Sequence, residues 1–327
     1  MHVTNPETRK QCSHNSCLEL GIHSQMNSRL KDLDHVVSQT TVLKPLPSVV
    51  SERKGTCDLS SHLIQKMSMV VRWVVYEPGI LNFSWKAPYT RGSSPVFVFV
   101  WIMSYLSLTL ILSRLPLPRP PLLKPITALH NLVLLLLSLL ILIGSSLCLL
   151  THTPSLWWSI CIPPHTPPTG PLFFWAYIFY LSKFLELLDT LFIILSRSSR
   201  RLSFLHVYHH ATVILMSYLW LHSSQSLFPI ALITNASVHL LMYSYYFLSA
   251  LGFRPSWKRA VTDCQILQFL FSFAVSILML RLHFSSGCSG MWAWSFNALF
   301  NASLLALFLD FHLKNYATAS LKTHKHS

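Results

Sequence analysis

Seven long apolar runs constrain the fold of this chain more than any other feature of its sequence. A bilayer core of about 30 Å requires about 20 helical residues, because each residue adds about 1.5 Å to the helix. Hydrophobic residues make up 52% of the chain and charged residues 11%, a balance that soluble domains seldom reach. The predicted fold is therefore an all-α, polytopic membrane protein with seven transmembrane helices, at Val96–Ser113, Thr127–Leu150, Pro171–Leu195, His206–His222, Leu227–Leu251, Cys264–His283 and Met291–Leu313.

The apolar runs divide the chain into three parts. Residues 1–66 are polar, poor in aromatic side chains and without a sustained period, so we expect a disordered N-terminal extension. Met67 and Met69 stand where the membrane-protein character begins, which leaves open that the extension is an artefact of the gene model. Residues 67–316 form the predicted membrane domain, and 317–327 form a short basic cytosolic tail.

Positive charges alternate between the connections and predict the orientation in the membrane. Lysine and arginine follow the first, third, fifth and seventh spans, at Arg114, Arg119, Lys124, Arg197, Arg200, Arg201, Arg254, Lys258, Arg259, Lys314, Lys322 and Lys325. Basic loops mark the cytosolic side, so the N-terminus is predicted to be lumenal and the C-terminus cytosolic. The net charge of +14 comes mostly from the hydrophobic part of the chain and indicates loops that face the cytoplasmic surface. The sequence has no basic stripe interleaved with stacking aromatic residues, so a nucleic-acid partner is not predicted.

The third span carries three ionisable residues where the bilayer makes them costly. Lys183, Glu186 and Asp189 follow each other at intervals of three residues within KFLELLDT. Such residues inside a span are functional candidates by default. The alternative interpretation is a buried ion-pair ladder that joins helices.

The fourth span opens with three histidines in the sequence HVYHH. His206, His209 and His210 are spaced at i, i+3 and i+4, which places them on one side of a helix at the cytosolic boundary of the membrane. Interfacial histidines without a role are the alternative. Three histidines on one face of a helix favour a catalytic or binding role for this group.

Polar side chains also interrupt the fifth and sixth spans. They occur within NASVHLLMYSYY and TDCQILQF, at Asn235, His239, Tyr243, Tyr246, Thr262, Gln265 and Gln268. Most polar positions of the four spans belong to the cytosolic half of the bilayer, and the lumenal half is mainly apolar. The pattern predicts a cytosol-facing polar chamber above an apolar acyl tunnel, which suits a substrate with a polar head and a long apolar tail.

These four motifs, in this order, resemble those of the ELO family of very-long-chain fatty-acid elongases. KFLELLDT is similar to the Lys-x-x-Glu-x-x-Asp-Thr pattern and HVYHH to the His-x-x-His-His box, and the likeness covers about Val70 to His312. The resemblance implies a seven-helix 3-ketoacyl-CoA synthase of the endoplasmic reticulum membrane. Such an acyltransferase joins long-chain acyl-CoA to malonyl-CoA with loss of CO₂.

The resemblance also implies roles for the residues of the motifs. His209 corresponds to the acyl-accepting nucleophile and His239 faces it, while His206 and His210 complete the catalytic set. The predicted substrate-binding residues are Lys183, Glu186, Asp189, Asn235, Tyr243, Tyr246, Gln265 and Gln268. Within that set the glutamines would donate to developing oxyanions, and Lys183 would help to hold CoA phosphates. Cys264, near the chamber, is the alternative nucleophile.

No resident cofactor and no metal are predicted, since acyl-CoA and malonyl-CoA are substrates; a metal at the histidine box is the alternative. The expected partners are membrane lipid and the ketoacyl reductase, dehydratase and enoyl reductase of the elongation cycle, and a homo-oligomer is left open. Two rival functions are a membrane di-iron desaturase or hydroxylase, which needs more histidine boxes, and a seven-span receptor or transporter.

Two further expectations concern the lumenal side. A disulfide is predicted between Cys288 and either Cys161 or Cys148, because all three lie at lumenal connections in an oxidising compartment. Arg281 closes the sixth span. It would either cap the acyl tunnel and limit chain length or act as an interfacial anchor whose charge reaches the surface.

Overall fold

The computed structural model describes residues 69–198 and 201–314. These residues belong to one compact unit, which begins at Gln65. The predictions for residues 1–66 and for the tail 317–327 concern residues outside the described part.

Seven helices of 19 or more residues make up most of the described chain. They are α1 (Pro95–Arg114), α2 (Leu123–His152), α3 (Pro171–Leu195), α4 (Phe204–His222), α5 (Phe228–Ala250), α6 (Lys258–Ser286) and α7 (Met291–His312). Two helical turns, Pro78–Leu81 and Leu156–Ile160, lie in the connections. Within residues 69–198 and 201–314 no strand forms beyond an isolated bridge between Ser84 and Thr169, so the all-α class is confirmed.

Prolines set many of the helix boundaries. Pro95, Pro171 and Pro229 stand in the first turns of α1, α3 and α5, where the missing amide hydrogen costs no intrahelical bond. Several further prolines between residues 116 and 121 prevent α1 from continuing into α2. The helix α4 has a side-chain cap, because Ser203 Oγ accepts a hydrogen bond from the His206 amide at 3.2 Å.

Four of the long helices, α1, α2, α6 and α7, are long and apolar enough to cross a bilayer, judged by length and composition. This supports a multi-pass membrane protein. The predicted third, fourth and fifth spans correspond to α3, α4 and α5, which carry most of the ionisable side chains of the motifs. That these three also cross the membrane stays a prediction.

Six of the helices pack as a closed ring. Going round it, each of α2, α3, α4, α7, α6 and α5 contacts the next, and α5 returns to contact α2. The remaining helix, α1, packs outside the ring against α3 and α4. Gly144 permits the close approach of α2 to α3, since a Cβ at this position would overlap the indole of Trp175. The interior enclosed by α4 to α7 holds the candidate site.

The connections α2–α3, α4–α5 and α6–α7 meet at one end of the ring. Cys161 and Cys288 form a disulfide between the first and the last of them, with a Cα–Cα distance of 5.1 Å that suits such a bond. Ser226, in the α4–α5 connection, forms hydrogen bonds to both of the other connections. Its amide donates to Ser289 O, and its hydroxyl accepts from the Ile162 amide, each at 3.0 Å. The predicted disulfide is confirmed for Cys161, whereas Cys148 is a free, buried thiol.

Candidate active site

A cavity lies inside the ring between α4, α5, α6 and α7. Its wall includes His209 from α4, Asn235 from α5, Gln268 from α6, and Asn297 and Phe300 from α7. Three of the four motifs singled out in the sequence therefore contribute to one cavity, although they come from different helices. The fourth motif, on α3, lies behind this wall and contacts it through α4 and α5.

The three histidines of HVYHH have different surroundings. His206 Nε2 is 2.9 Å from Thr190 Oγ1 on α3, and that hydroxyl is 3.0 Å from Tyr105 Oη on α1. His209 faces the other way, with its ring stacked on Phe300 at 6.4 Å between centroids. His210 is buried between them, 4.4 Å and 5.4 Å from the other two rings. Of the three, His209 is the one in the cavity wall.

A buried ion pair stands behind the histidines. Lys183 Nζ donates to Glu186 Oε1 at 2.7 Å, and both residues are at most 2% exposed. The same carboxylate oxygen is 3.5 Å from His239 Nδ1 on α5. The Lys183 ammonium also lies 4.0 Å from the centroid of the Phe179 ring. Phosphate binding by Lys183 stays a prediction, and in this structure its ammonium is engaged inside the bundle.

Asp189 is bonded to other residues than the Lys183–Glu186 pair. Its Oδ1 is 3.0 Å from His130 Nε2 on α2, and its Oδ2 accepts a hydrogen bond from the Tyr243 hydroxyl at 2.9 Å. The sequence left open that the three charged residues of α3 form one ion-pair ladder. In the structure, Lys183 and Glu186 form an ion pair, and the Asp189 carboxylate has other partners. His130 was missed, although a histidine within an apolar run is the same signal that identified the other residues.

The remaining predicted residues are divided between the cavity and the rest of the bundle. Asn235 and Gln268 line the cavity, whereas the Gln265 amide contacts Met242 Sδ at 3.8 Å. The Tyr246 ring lies 6.1 Å from that of Tyr243 and the residue is 42% exposed. Cys264 is a free, half-buried cysteine and is not among the residues that line the cavity.

The cavity below His209 is less apolar than the sequence pattern predicted. Gln225, from the α4–α5 connection, and Asn297 line it and form a hydrogen bond with each other. The hydropathy of whole helices did not reveal this, because Gln225 precedes α5 and Asn297 lies in a helix that is mainly apolar. Arg281 is exposed and is not among the lining residues, which favours the interpretation of this residue as an interfacial anchor.

A metal site was an alternative for the histidine box. In the described part of the chain, no group of three histidine, cysteine, aspartate or glutamate side chains is placed to hold one metal ion. The arrangement that the structure does show is a histidine in a cavity wall, backed by an ion pair and a second histidine. Such a set suits nucleophilic or acid–base chemistry on a substrate in the cavity.

Comparison with known proteins connects these motifs to one family. The family model described as ELO, GNS1/SUR4 family, matches residues 90–324. Among the similar proteins is the fatty acid elongase 3-like protein of Arabidopsis thaliana, 31% identical over 260 residues, which cover 73% of this chain and 89% of the relative. Fatty acid elongase A of Dictyostelium discoideum is 34% identical over 251 residues, covering 73% of this chain and 90% of the relative.

Proposed function

The chain belongs to the ELO (GNS1/SUR4) family, and we propose that it is a condensing enzyme of fatty-acid elongation. It joins an acyl-CoA to malonyl-CoA and releases CO₂ and CoA, which gives a 3-ketoacyl-CoA two carbons longer. The relatives that share most of its length are named fatty acid elongases. Family membership does not favour the di-iron oxygenase, the receptor or the transporter.

The observation that carries the proposal is the place of His209 in the cavity wall. The cavity is lined by His209, by amide side chains, and by an apolar part that includes Val213 and Leu304. A thioester would lie at His209 with its acyl chain along the apolar part. Stacking on Phe300 orients the imidazole.

His209 acts as the nucleophile in the first half of the reaction. The unprotonated nitrogen of a neutral imidazole attacks the thioester carbon and CoA leaves as a thiolate, which takes up the proton of the other ring nitrogen, so a neutral acyl-imidazole remains. Malonyl-CoA then loses CO₂, and the electron pair of the broken bond forms an enolate. The enolate carbon attacks the acyl carbon, and the His209 imidazole leaves as its anion and takes up a proton.

His239 supports this chemistry from α5. It follows Asn235, a cavity-wall residue, by four positions, so the two side chains lie on one face of the helix. Glu186 holds His239 Nδ1 at 3.5 Å, which fixes the orientation of the ring. In the proposal the other ring nitrogen exchanges protons with the substrates, and Gln268 donates to the developing oxyanion.

The site belongs in the membrane of the endoplasmic reticulum, with all seven long helices crossing it. The N-terminus is lumenal and the C-terminus cytosolic in this proposal. The Cys161–Cys288 disulfide supports a lumenal position for the end of the ring where these connections meet, because disulfides persist in oxidising compartments. Membrane lipid surrounds the exposed apolar side chains of the helices, such as Phe99 and Leu299.

The proposed partners follow from the reaction. A 3-ketoacyl-CoA product must be reduced, dehydrated and reduced again before another condensation, so a ketoacyl reductase, a dehydratase and an enoyl reductase act next. The condensation itself requires no redox cofactor, because the loss of CO₂ drives the formation of the carbon–carbon bond. Homo-oligomerisation remains open, and no nucleic acid is involved.

Expression of the full chain in cells that lack their own elongases tests the proposed function. Fatty-acid profiling should show products longer by two carbons or multiples of two. Membranes from these cells should release CO₂ from malonyl-CoA only when an acyl-CoA is added. Cells with normal amounts of the protein in the membrane, but with unchanged fatty acids and no such release for any acyl-CoA, would contradict the proposal.

A further inference from the structure

An amide pair in the cavity wall has hydrogen-bonding capacity that the protein does not use. Asn297 is 4% exposed and Gln225 is 3% exposed, and the Asn297 Nδ2 donates to Gln225 Oε1. The Oδ1 of Asn297 is buried and has no partner. Reversing both amide groups would leave the Asn297 nitrogen unpaired instead, so one polar atom of this side chain is without a partner in either orientation.

A second amide in the cavity wall has the same property. The Oδ1 of Asn235, on α5, is buried and unpaired. Two hydroxyl groups of the wall are different, because Thr234 donates to Ile230 O at 2.9 Å and Ser276 to Ser272 O at 2.8 Å. These two hydroxyls are satisfied within their own helices, whereas Asn235 and Asn297 each keep an unpaired oxygen.

Unpaired amides make a plain hydrocarbon chain a poor match for this part of the cavity. When the chain enters, it displaces any water that bonds the amides and offers no hydrogen bond in return. A buried polar group left without a partner is unfavourable. A hydroxyl on the chain would supply both a donor and an acceptor, and sites built around such a bond strongly favour the ligand that makes it.

We propose that this enzyme prefers acyl-CoA substrates that carry a hydroxyl group on the acyl chain, bound by Asn297 and Asn235. The proposal rests on the proposed function and names the substrate class. Asn297 is three residues from Phe300, which stacks on His209, so it lies about 4.5 Å from that level along α7.

The test compares acyl-CoAs of one chain length, either unsubstituted or with a single hydroxyl at a different carbon in each. Condensation with malonyl-CoA by the full-length protein in membranes gives kcat/KM for each substrate. We expect the hydroxylated substrate to be favoured by about tenfold at its best position, the effect of one buried hydrogen bond. The preference should disappear in Asn297→Leu, which should also use the unsubstituted chain better than the wild type does.

Ser295→Leu is the matched control, because it makes a similar polar-to-apolar change on the exposed side of α7 and should keep the preference. If Asn297→Leu does not fold, Asn297→Ser shortens the polar group and should weaken the preference. Equal or lower kcat/KM for every hydroxylated substrate in the wild type would overturn this inference. So would a preference that persists in both Asn297 variants. Failure to condense any unsubstituted or hydroxylated acyl-CoA would instead contradict the proposed function.

Discussion

Two groups of buried polar side chains inside the bundle differ in how their hydrogen-bonding atoms are used. The first group, the α3 network, consists of Lys183, Glu186, Asp189 and Thr190. Each of these residues has a partner at 2.7 to 3.0 Å, and one atom of the group, Glu186 Oε2, is buried without a partner. The second group, the amides and histidine of the cavity wall, has unpaired buried atoms: His209 Nδ1, Asn235 Oδ1 and Asn297 Oδ1. The two groups face each other across α4 and α5.

The difference separates residues that hold the site from residues that meet the substrate. A polar group with a buried partner is fixed in place and stabilises the arrangement of helices around it. A buried group without a partner is expected to have a role that requires it to be open. We therefore expect the α3 network mainly to position His206 and His239, and the cavity wall to bind the substrate and react with it.

The largest expected effect comes from removing the histidine of the cavity wall. His209→Ala should reduce condensation by about a thousandfold or more, because the nucleophile and its acyl-imidazole are lost. His239→Ala should have a comparable effect, because the proposed proton exchange with the substrates is lost. The measurement is 3-ketoacyl-CoA formation by purified protein, with correct membrane insertion checked in parallel.

His222→Ala is the matched control, since His222 is exposed at the opposite end of the same helix and should retain activity. Near-normal turnover in His209→Ala would remove this residue from the mechanism. It would also direct attention to Cys264, the nucleophile that the sequence left as an alternative.

The second prediction breaks the ion pair of the α3 network. Lys183→Met leaves the Glu186 carboxylate buried without its lysine, which should lower the free energy of unfolding by about 3–5 kcal/mol. The double variant Lys183→Met with Glu186→Leu removes both charges and should recover much of that stability. It should not recover activity, because His239 loses the carboxylate at 3.5 Å that orients it.

Thermal unfolding in detergent and condensation assays on the same preparations would measure the two effects. Full activity of a stable double variant would show that the pair only joins helices, which is the alternative that the sequence allowed. A double variant as unstable as Lys183→Met would contradict the electrostatic reason given for the loss.

The sequence predicted the helices well for a physical reason. Apolar runs and prolines are local signals, so Pro171–Leu195 was predicted with its observed boundaries. The N-terminal boundary of α6 was less accurate, since the helix begins at Lys258 and not at Cys264. Its first turns are polar, and hydropathy does not register helical residues beyond the apolar part.

The candidate site was predicted as a set of residues but not as an arrangement. Spacing places residues on a helix face, but it does not say which neighbour that face meets. The ring order brings α4 beside α7, and this contact separates His209 from His206. The partner of Asp189, His130, comes from a helix without any recognised motif, and contacts of this kind depend on the packing of distant segments.

The third prediction concerns His130, the partner of Asp189 in the α3 network. It tests whether His130 acts on the reaction through that carboxylate. His130→Phe keeps a ring at this position and removes the hydrogen bond to Asp189, so Asp189 and Tyr243 lose part of their fixed geometry. We expect kcat to fall about tenfold with a smaller change in KM. His130→Gln retains a donor and should recover much of the loss, whereas a role in packing alone would not distinguish the two variants in this way.

His152→Phe on the same helix is the control, because His152 is exposed near the other end of α2. Its activity should equal that of the wild type. Equal kcat for His130→Phe and the wild type would show that the carboxylate keeps its position without this histidine.

The smallest effect is expected for a charge that belongs to neither group. Arg281 lies on α6, is exposed, and is absent from the lining of the cavity. This favours an interfacial anchor, with its guanidinium at the membrane surface and its stem over apolar area. Arg281→Leu should therefore leave the distribution of product chain lengths unchanged, with at most a small loss of thermal stability. Fatty-acid profiling of elongase-deficient cells that express the variant would measure this, with the wild type as reference. A shift towards longer products would mean that the acyl tunnel continues beyond the observed cavity to Arg281. The amide pair of Gln225 and Asn297 would then line the middle of a longer path.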